Sequence, residues 1–220
     1  MKIIGSVKED LVGEKRISIT PETVKKFVDL NMSVLLENKY GEHLGINDEE
    51  YKNKGASLNN SAKEVLEKSE IILRVNCPSN DEISIIKNKS ILIGQFDPLS
   101  NKETINKLIK KEVKIFSLNL LPRITRAQSM DVLSSQANLA GYRAVIEAVE
   151  EFGKAVPMMM TAAGTIMPAK VLVIGVGVAG LQAIATAKRL GGVVSATDVR
   201  IAVKEQVKSL GGKFFTVESA

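Results

Sequence analysis

A glycine-rich turn between a short apolar strand and a helix constrains this chain more than any other feature. The run Val171-Leu-Val-Ile-Gly175-Val-Gly177-Val-Ala-Gly180 leads into Leu181-Gln-Ala-Ile-Ala-Thr-Ala-Lys-Arg-Leu190. A second apolar run over residues 192–197 then ends on Asp198. Strand, turn, helix, strand and acid in that order make up the dinucleotide-binding arrangement, a stronger signal than G-x-G-x-x-G alone. Gly175 permits the tight turn, Gly177 leaves room for a pyrophosphate, and Gly180 lets helix and strand pack closely. The N–H groups and positive dipole end of the following helix hold the phosphates. Asp198 stands 18 positions past Gly180, near the ~20 expected for the carboxylate that takes the ribose hydroxyls. An acid there accepts from a free 2′-hydroxyl and repels a 2′-phosphate, so the cofactor read for this chain is NAD(H) rather than NADP(H). Arg200, two residues on, is in principle able to attract a phosphate. It reads instead as lying over the adenosine or as solvated.

Composition narrows the remaining classes. The 220 residues are 45% hydrophobic and 25% charged, enough for one large or two small globular domains. A net charge of +5 does not make a nucleic-acid binder, because aromatics are only 4% and Trp is absent. Lysines such as Lys102, Lys107, Lys110, Lys111 and Lys114 alternate with apolar positions as a solvated helix face would. The one cysteine, Cys77, excludes an internal disulfide and suits a reducing compartment. The first ten residues turn acidic at Glu9-Asp10, too soon for a signal peptide. Residues 155–187 carry one charge, Lys170, and resemble a membrane span by hydropathy. Pro157, Gly164, Pro168 and the phosphate-binding glycines argue for buried parallel strands instead. No metal-ligand set is read in the chain.

Composition shifts near residue 139: every asparagine lies at or before Asn138, and ten of the 16 glycines lie after it. Before the shift, strands are predicted over residues 2–7, 33–37, 71–75, 91–95 and 113–118. Helices are predicted from Pro21 to Leu30, with Thr20 as N-cap, and over residues 81–87 and 102–110. That alternation implies a parallel sheet with covering helices. A long helix over residues 127–152 presents Leu133, Ala137, Ala140, Ala144, Ile146, Ala148 and Val149 as a broad apolar face, interrupted by Gly141. Strands over residues 171–174, 193–197 and 213–217, with helices after Val178 and Arg200, complete one mononucleotide-binding half of a six-stranded fold. The fold class is therefore α/β: two Rossmann-like parallel-sheet domains joined by a long helix, the second incomplete. The boundaries are residues 1–125, a linking helix 126–152, and an NAD-binding domain 153–220. Ser219-Ala220 offers no natural end, and the chain reads as a truncated product or fragment.

Several segments then carry a family resemblance. They are Arg16-Ile-Ser-Ile-Thr-Pro-Glu-Thr-Val24, Pro122-Arg-Ile-Thr-Arg-Ala-Gln-Ser-Met-Asp-Val-Leu-Ser-Ser-Gln136, Ala140-Gly-Tyr-Arg-Ala-Val145, Pro157-Met-Met-Met-Thr-Ala-Ala-Gly164 and residues 179–190. The chain resembles the NAD(H)-binding component of proton-translocating NAD(P) transhydrogenases, within a wider family that includes alanine dehydrogenases. The match is close from about Leu121 onward and looser before it.

Alanine dehydrogenases carry a substrate-handling lysine in a Lys-Val-Lys-Glu-Pro-like strand end and a histidine in a Phe-Leu-His-like one. Here those stretches read Arg74-Val75-Asn76-Cys77-Pro78 and Gly94-Gln95-Phe96-Asp97-Pro98. Oxidising an amino acid needs a base to take protons as hydride leaves, and neither usual group is present. The single histidine, His43, reads as a structural loop residue. Transhydrogenation needs no such base, because hydride passes between two nicotinamides that need only be positioned and kept from water.

On the resemblance, Arg123 and Gln128 orient the dihydronicotinamide and its ribose, and Asp131 and Ser134 fix the loop and the carboxamide. The catalytic set is then Arg123, Gln128 and Asp131. The cofactor set is Ser134, Gly175, Gly177, Val178 (through its N–H to the pyrophosphate), Gly180, Asp198 and Arg200. Read without the resemblance, Arg123, Arg126 and Asp131 are charges at a helix start. Met158, Met159 and Met160 read as core or domain-interface packing. The resemblance further implies NADP(H) on a partner, membrane-domain and NADP(H)-binding partner subunits, a homodimer, and a cytoplasmic position peripheral to the membrane. The alternatives are a soluble alanine dehydrogenase-like enzyme and a non-catalytic NAD-binding fragment.

Overall fold

The computed structural model describes residues 2–216, which divide into two compact units between Met130 and Asp131. In the first unit the strands are β1 (Ile3–Ser6), β2 (Ser33–Glu37), β3 (Ala56–Asn59), β4 (Ile71–Leu73), β5 (Ile91–Gly94) and β6 (Lys114–Ser117). The helices between them are α1 (Pro21–Asp29), α2 (Asp48–Asn53), α3 (Ala62–Lys68), α4 (Asn80–Ile85) and α5 (Lys102–Lys110). All strand pairs are parallel, in the order β3-β2-β1-β4-β5-β6. That is the order of a doubly wound sheet whose switch point lies between β1 and β4.

The sequence explains where the helices begin. The Thr20 hydroxyl accepts the N–H of Thr23 and Pro21 takes the first helical position of α1, as the sequence pattern predicts. α2 and α4 open on reciprocal capping boxes, Asn47 with Glu50 and Ser79 with Glu82. The elements α2, β3 and α3 are additions to those the sequence pattern predicts. The core forms two clusters, one around Ile72, Leu92, Phe96 and Leu108 and another around Ile4, Val24, Leu36, Tyr40 and Tyr51.

The second unit holds α6 (Val132–Phe152), a hairpin of β7 (Met159–Thr161) and β8 (Gly164–Ile166), then β9 (Lys170–Ile174), α7 (Val178–Arg189), β10 (Val193–Thr197), α8 (Lys204–Ser209) and β11 (Lys213–Phe214). Its three-stranded sheet is parallel in the order β11-β10-β9. The predicted end of the last strand, Val217, lies with Ser219-Ala220 outside the described residues. The helix expected to be a linker groups with this unit, because α6 packs directly on α7. Residues 127–130, expected as its first turn, belong instead to a separate 3₁₀ segment, Thr125–Met130. The methionine expectation also needs correction. Met158, Met159 and Met160 belong to the hairpin region and are exposed, which removes the core half of that expectation.

The buried stripe of α6 is centred on Gly141 and Val145. Ala140, Ala144 and Ala148, assigned to the apolar face, are exposed. Gly141 is therefore the contact point rather than an interruption. A Cβ added there would sit 2.1 Å from the Ala179 carbonyl oxygen, so only glycine lets α6 touch the first turn of α7. At an ordinary helix-interior glycine, Gly→Ala stabilises by about 0.5–1 kcal/mol. Here the clash reverses the sign: Gly141→Ala is expected to destabilise by about 1–3 kcal/mol, read from the urea midpoint. A raised or unchanged midpoint would remove Gly141 from this role.

Candidate dinucleotide-binding site

β9 is followed by Gly175, whose φ of 92° lies in the left-handed region that a side chain resists. Its N–H donates to the Thr197 carbonyl at 2.9 Å, tying the turn to the end of β10. Gly180 faces the turn so closely that a Cβ would stand 1.9 Å from the Gly175 carbonyl oxygen. Gly177 has open space where its Cβ would point and serves as the N-cap of α7 without a side-chain hydrogen bond. The three glycines thus differ physically as the motif requires: a turn, an open approach and a close contact. The first turn of α7 begins at Val178, which is 42% exposed. Open helix N–H groups and the positive dipole end suit an anion. Beneath them lie Val176, Ile184, Ala187, Val194 and Ala196, all buried.

Asp198 follows β10, as the spacing predicts, but its carboxylate is already occupied. Oδ2 accepts the Val176 N–H at 2.6 Å and Arg200 Nη2 at 3.1 Å. Oδ1 accepts the Arg200 backbone N–H at 2.8 Å and Nε at 3.0 Å. Arg200 Nη2 also donates to the Val176 carbonyl at 3.3 Å. The Arg200 guanidinium, with the Val176 N–H behind it, holds the Asp198 carboxyl far below the usual carboxylate range. Arg200, which the sequence suggests lies over the adenosine or in solvent, has a side chain 59% exposed. It is paired with the acid expected to read the ribose.

The polar residues ahead of α6 fall in both units. Arg123 and Gln128 are exposed in the first, Gln128 within the 3₁₀ segment Thr125–Met130. Asp131 and Ser134 belong to the second, where Asp131 is the N-cap of α6. Its Oδ1 accepts the Ser134 N–H at 3.0 Å and its Oδ2 the Ser134 hydroxyl at 2.6 Å.

In the first unit, the crevice at the ends of β1 and β4 is filled by the protein's own groups. Ser6 Oγ lies 2.8 Å from Tyr40 Oη and donates to the Leu73 carbonyl at 2.7 Å. Buried Arg74 donates to Glu9 through Nε and Nη2, both at 3.1 Å, and pairs with Glu82. Glu14 accepts both Nε and Nη2 of Arg16, at 2.8 and 2.6 Å, and this pairing holds its carboxyl below the usual carboxylate range. Asn76 and Asp97 stand exposed beyond β4 and β5. His43 Nε2 lies 2.8 Å from the Lys15 carbonyl oxygen in an exposed turn, a structural contact. Among the described residues no cluster of three or more His, Cys, Asp or Glu is arranged to hold a metal. No helix there is long and apolar enough to cross a membrane.

Comparison with known proteins agrees with both units. The description "Alanine dehydrogenase/PNT, N-terminal domain" matches residues 5–140, and its C-terminal counterpart matches residues 144–220. The chain is 51% identical over 220 residues to an NAD(P) transhydrogenase subunit alpha of Rhodospirillum rubrum, covering 98% of this chain and 57% of that protein. It is 28% identical over 225 residues to an alanine dehydrogenase of Methanococcus maripaludis, covering 99% of this chain and 59% of the other. The solved transhydrogenase from Sinorhizobium meliloti superposes with a TM-score of 0.92 at 50% identity, over 98% of this chain and 64% of that one. An L-alanine dehydrogenase structure, at 22% identity, superposes with a TM-score of 0.83 over 98% of this chain and 61% of that one, a likeness of fold. The chain thus spans less than two thirds of the length of these relatives. With both of its units matched in sequence and in fold, the chain belongs to the alanine dehydrogenase/PNT family.

Proposed function

We propose that this chain is the NAD(H)-binding part of a proton-translocating NAD(P) transhydrogenase. In this reading hydride passes between NAD(H) held here and NADP(H) held by a partner subunit, coupled to proton movement across a membrane. The observation that carries the binding role is the uncapped N-terminus of α7 behind Gly175, Gly177 and Gly180. The pyrophosphate rests on the N–H groups of the turn, including that of Val178, and the adenosine ribose lies toward Asp198, with which Arg200 is paired. NAD(H) supplies or accepts the hydride. The chain supplies position and exclusion of water, and no proton transfer to or from substrate is required. Arg123 and Gln128 orient the nicotinamide and its ribose, and the Asp131–Ser134 pair fixes the segment at the start of α6 and meets the carboxamide. Membrane-domain and NADP(H)-binding subunits are the partners, the assembly is a homodimer, and the chain works at the cytoplasmic face of the membrane.

An alanine dehydrogenase is the reading this one displaces. The motivating feature is the pair Asn76 and Asp97 where a lysine and a histidine would handle the amino acid. The intact protein is expected to show no NAD-dependent oxidation of alanine. Turnover with alanine above background would overturn the transhydrogenase assignment.

Cofactor choice is tested by titration. NADH is expected to bind the intact protein at least about tenfold tighter than NADPH, a difference of about 1.4 kcal/mol. Equal affinities would end the assignment of Asp198.

The role of Gln128 separates binding from rate. Shortening its reach by Gln128→Asn should leave NADH affinity nearly unchanged. Single-turnover hydride transfer, in a complex with the NADP(H)-binding partner, should slow by up to about a hundredfold, since ~1 Å of misplacement costs on that order. Affinity and rate falling together would make Gln128 a binding residue only. No change in either would remove it from the site.

A further inference from the structure

Asp198 makes four hydrogen bonds, and they divide into two kinds. Two come from the backbone: the Val176 N–H on Oδ2 and the Arg200 N–H on Oδ1. Two come from one guanidinium: Arg200 Nη2 on Oδ2 and Nε on Oδ1. A carboxylate offers about four acceptor sites, two per oxygen, so this one is filled. The backbone pair fixes the carboxylate on the glycine turn whatever the arginine does. The guanidinium occupies the remaining site on each oxygen, and its side chain is 59% exposed, so it has solvent to move into. When it leaves, one acceptor site opens on each oxygen, which matches the two adjacent hydroxyls of a ribose.

We propose that Asp198 and Arg200 form a single selectivity device in which Arg200 stands in for the ribose diol and Asp198 withholds Arg200 from a 2′-phosphate. This rests on the reading of the turn as an NAD(H) site and extends it. Without the carboxylate, the guanidinium keeps only its 3.3 Å contact with the Val176 carbonyl. It then remains beside the ribose position as an unpaired cation with planar donors, the group that best recognises a phosphate. Cofactor choice is therefore set by the pair and not by the acid alone. Removing Asp198 creates a 2′-phosphate ligand as well as abolishing a repulsion.

The test is a set of NADH and NADPH titrations on the intact protein. Its variants are Asp198→Ala, Asp198→Asn, Arg200→Ala, and the double variants that combine Arg200→Ala with each Asp198 change. Asp198→Asn keeps an acceptor for the Val176 N–H, so it serves if the alanine variant unmoors the turn. NADPH is expected to bind each Asp198 variant at least tenfold tighter than the matching double variant, whereas NADH should differ by less than threefold within each pair. Arg200→Ala alone should hold or tighten NADH binding, because a competitor for the diol sites is gone. NADPH affinity that is indifferent to Arg200 in both Asp198 backgrounds would overturn the proposal, as would a tenfold loss of NADH affinity in Arg200→Ala. A wild-type protein that binds neither nucleotide would instead defeat the NAD(H) reading itself, and this inference with it.

Discussion

The contact between Gly141 of α6 and the Ala179 carbonyl of α7 is the constraint on which the second unit turns. It sets the height of α7 over the long helix. Gly180 then sets the distance from α7 to the turn, because its missing side chain is what clears the Gly175 carbonyl. Two glycine contacts in series thus locate a loop that has few side chains of its own to hold it. The buried residues Val145, Val176, Ile184 and Ala187 fill the space around them. At native packing density a misfit of one methyl has nowhere to go. The loop is held open by the tightness of what lies behind it.

The two units treat one architecture in opposite ways. Both are parallel sheets, and in the first the reversal between β1 and β4 leaves a crevice at the strand ends. In the first unit Ser6, Ser18, Tyr40, Arg74, Glu9 and Glu82 satisfy one another there. Their donors and acceptors are spent on the fold, and burying such charges is tolerable only because they are paired. In the second unit the equivalent region leaves the N-terminus of α7 without a side-chain cap. Fold class alone would not tell these apart, since function resides in the site rather than in the scaffold.

How far each feature is legible in the sequence depends on how local its cause is. β2, β10 and α5 have the bounds their apolar runs and flanking residues dictate. The glycine roles are legible because each follows from the absence of a Cβ at a known point of the motif. β3 is not, since Ala-Ser-Leu-Asn carries too little apolar pattern and acquires strand geometry by pairing with β2. α2 is only six residues long, too short for a periodic pattern, although Asn47-x-x-Glu50 is a legible capping signature. Gly141 looks like an interruption because helix periodicity counts side chains, while the packing face is chosen by the partner helix. The Asp198–Arg200 pair needs coordinates: a spacing of two residues places the arginine nearby but does not fix where its long side chain folds.

β9 has a neighbour on one side only among the described residues. Its other margin runs beside Leu172, 59% exposed, and Ile174, 80% exposed, above a groove of about 660 Å³ lined by Ala140, Ala144, Ala148 and Phe152 of α6. A straight apolar strand with unpaired N–H and C=O groups is a template for any other strand that meets it. Lys170 at its start is the one charge along it, a single gatekeeper on an otherwise adhesive margin. A strand seated there would cover apolar side chains and backbone hydrogen-bonding groups at once.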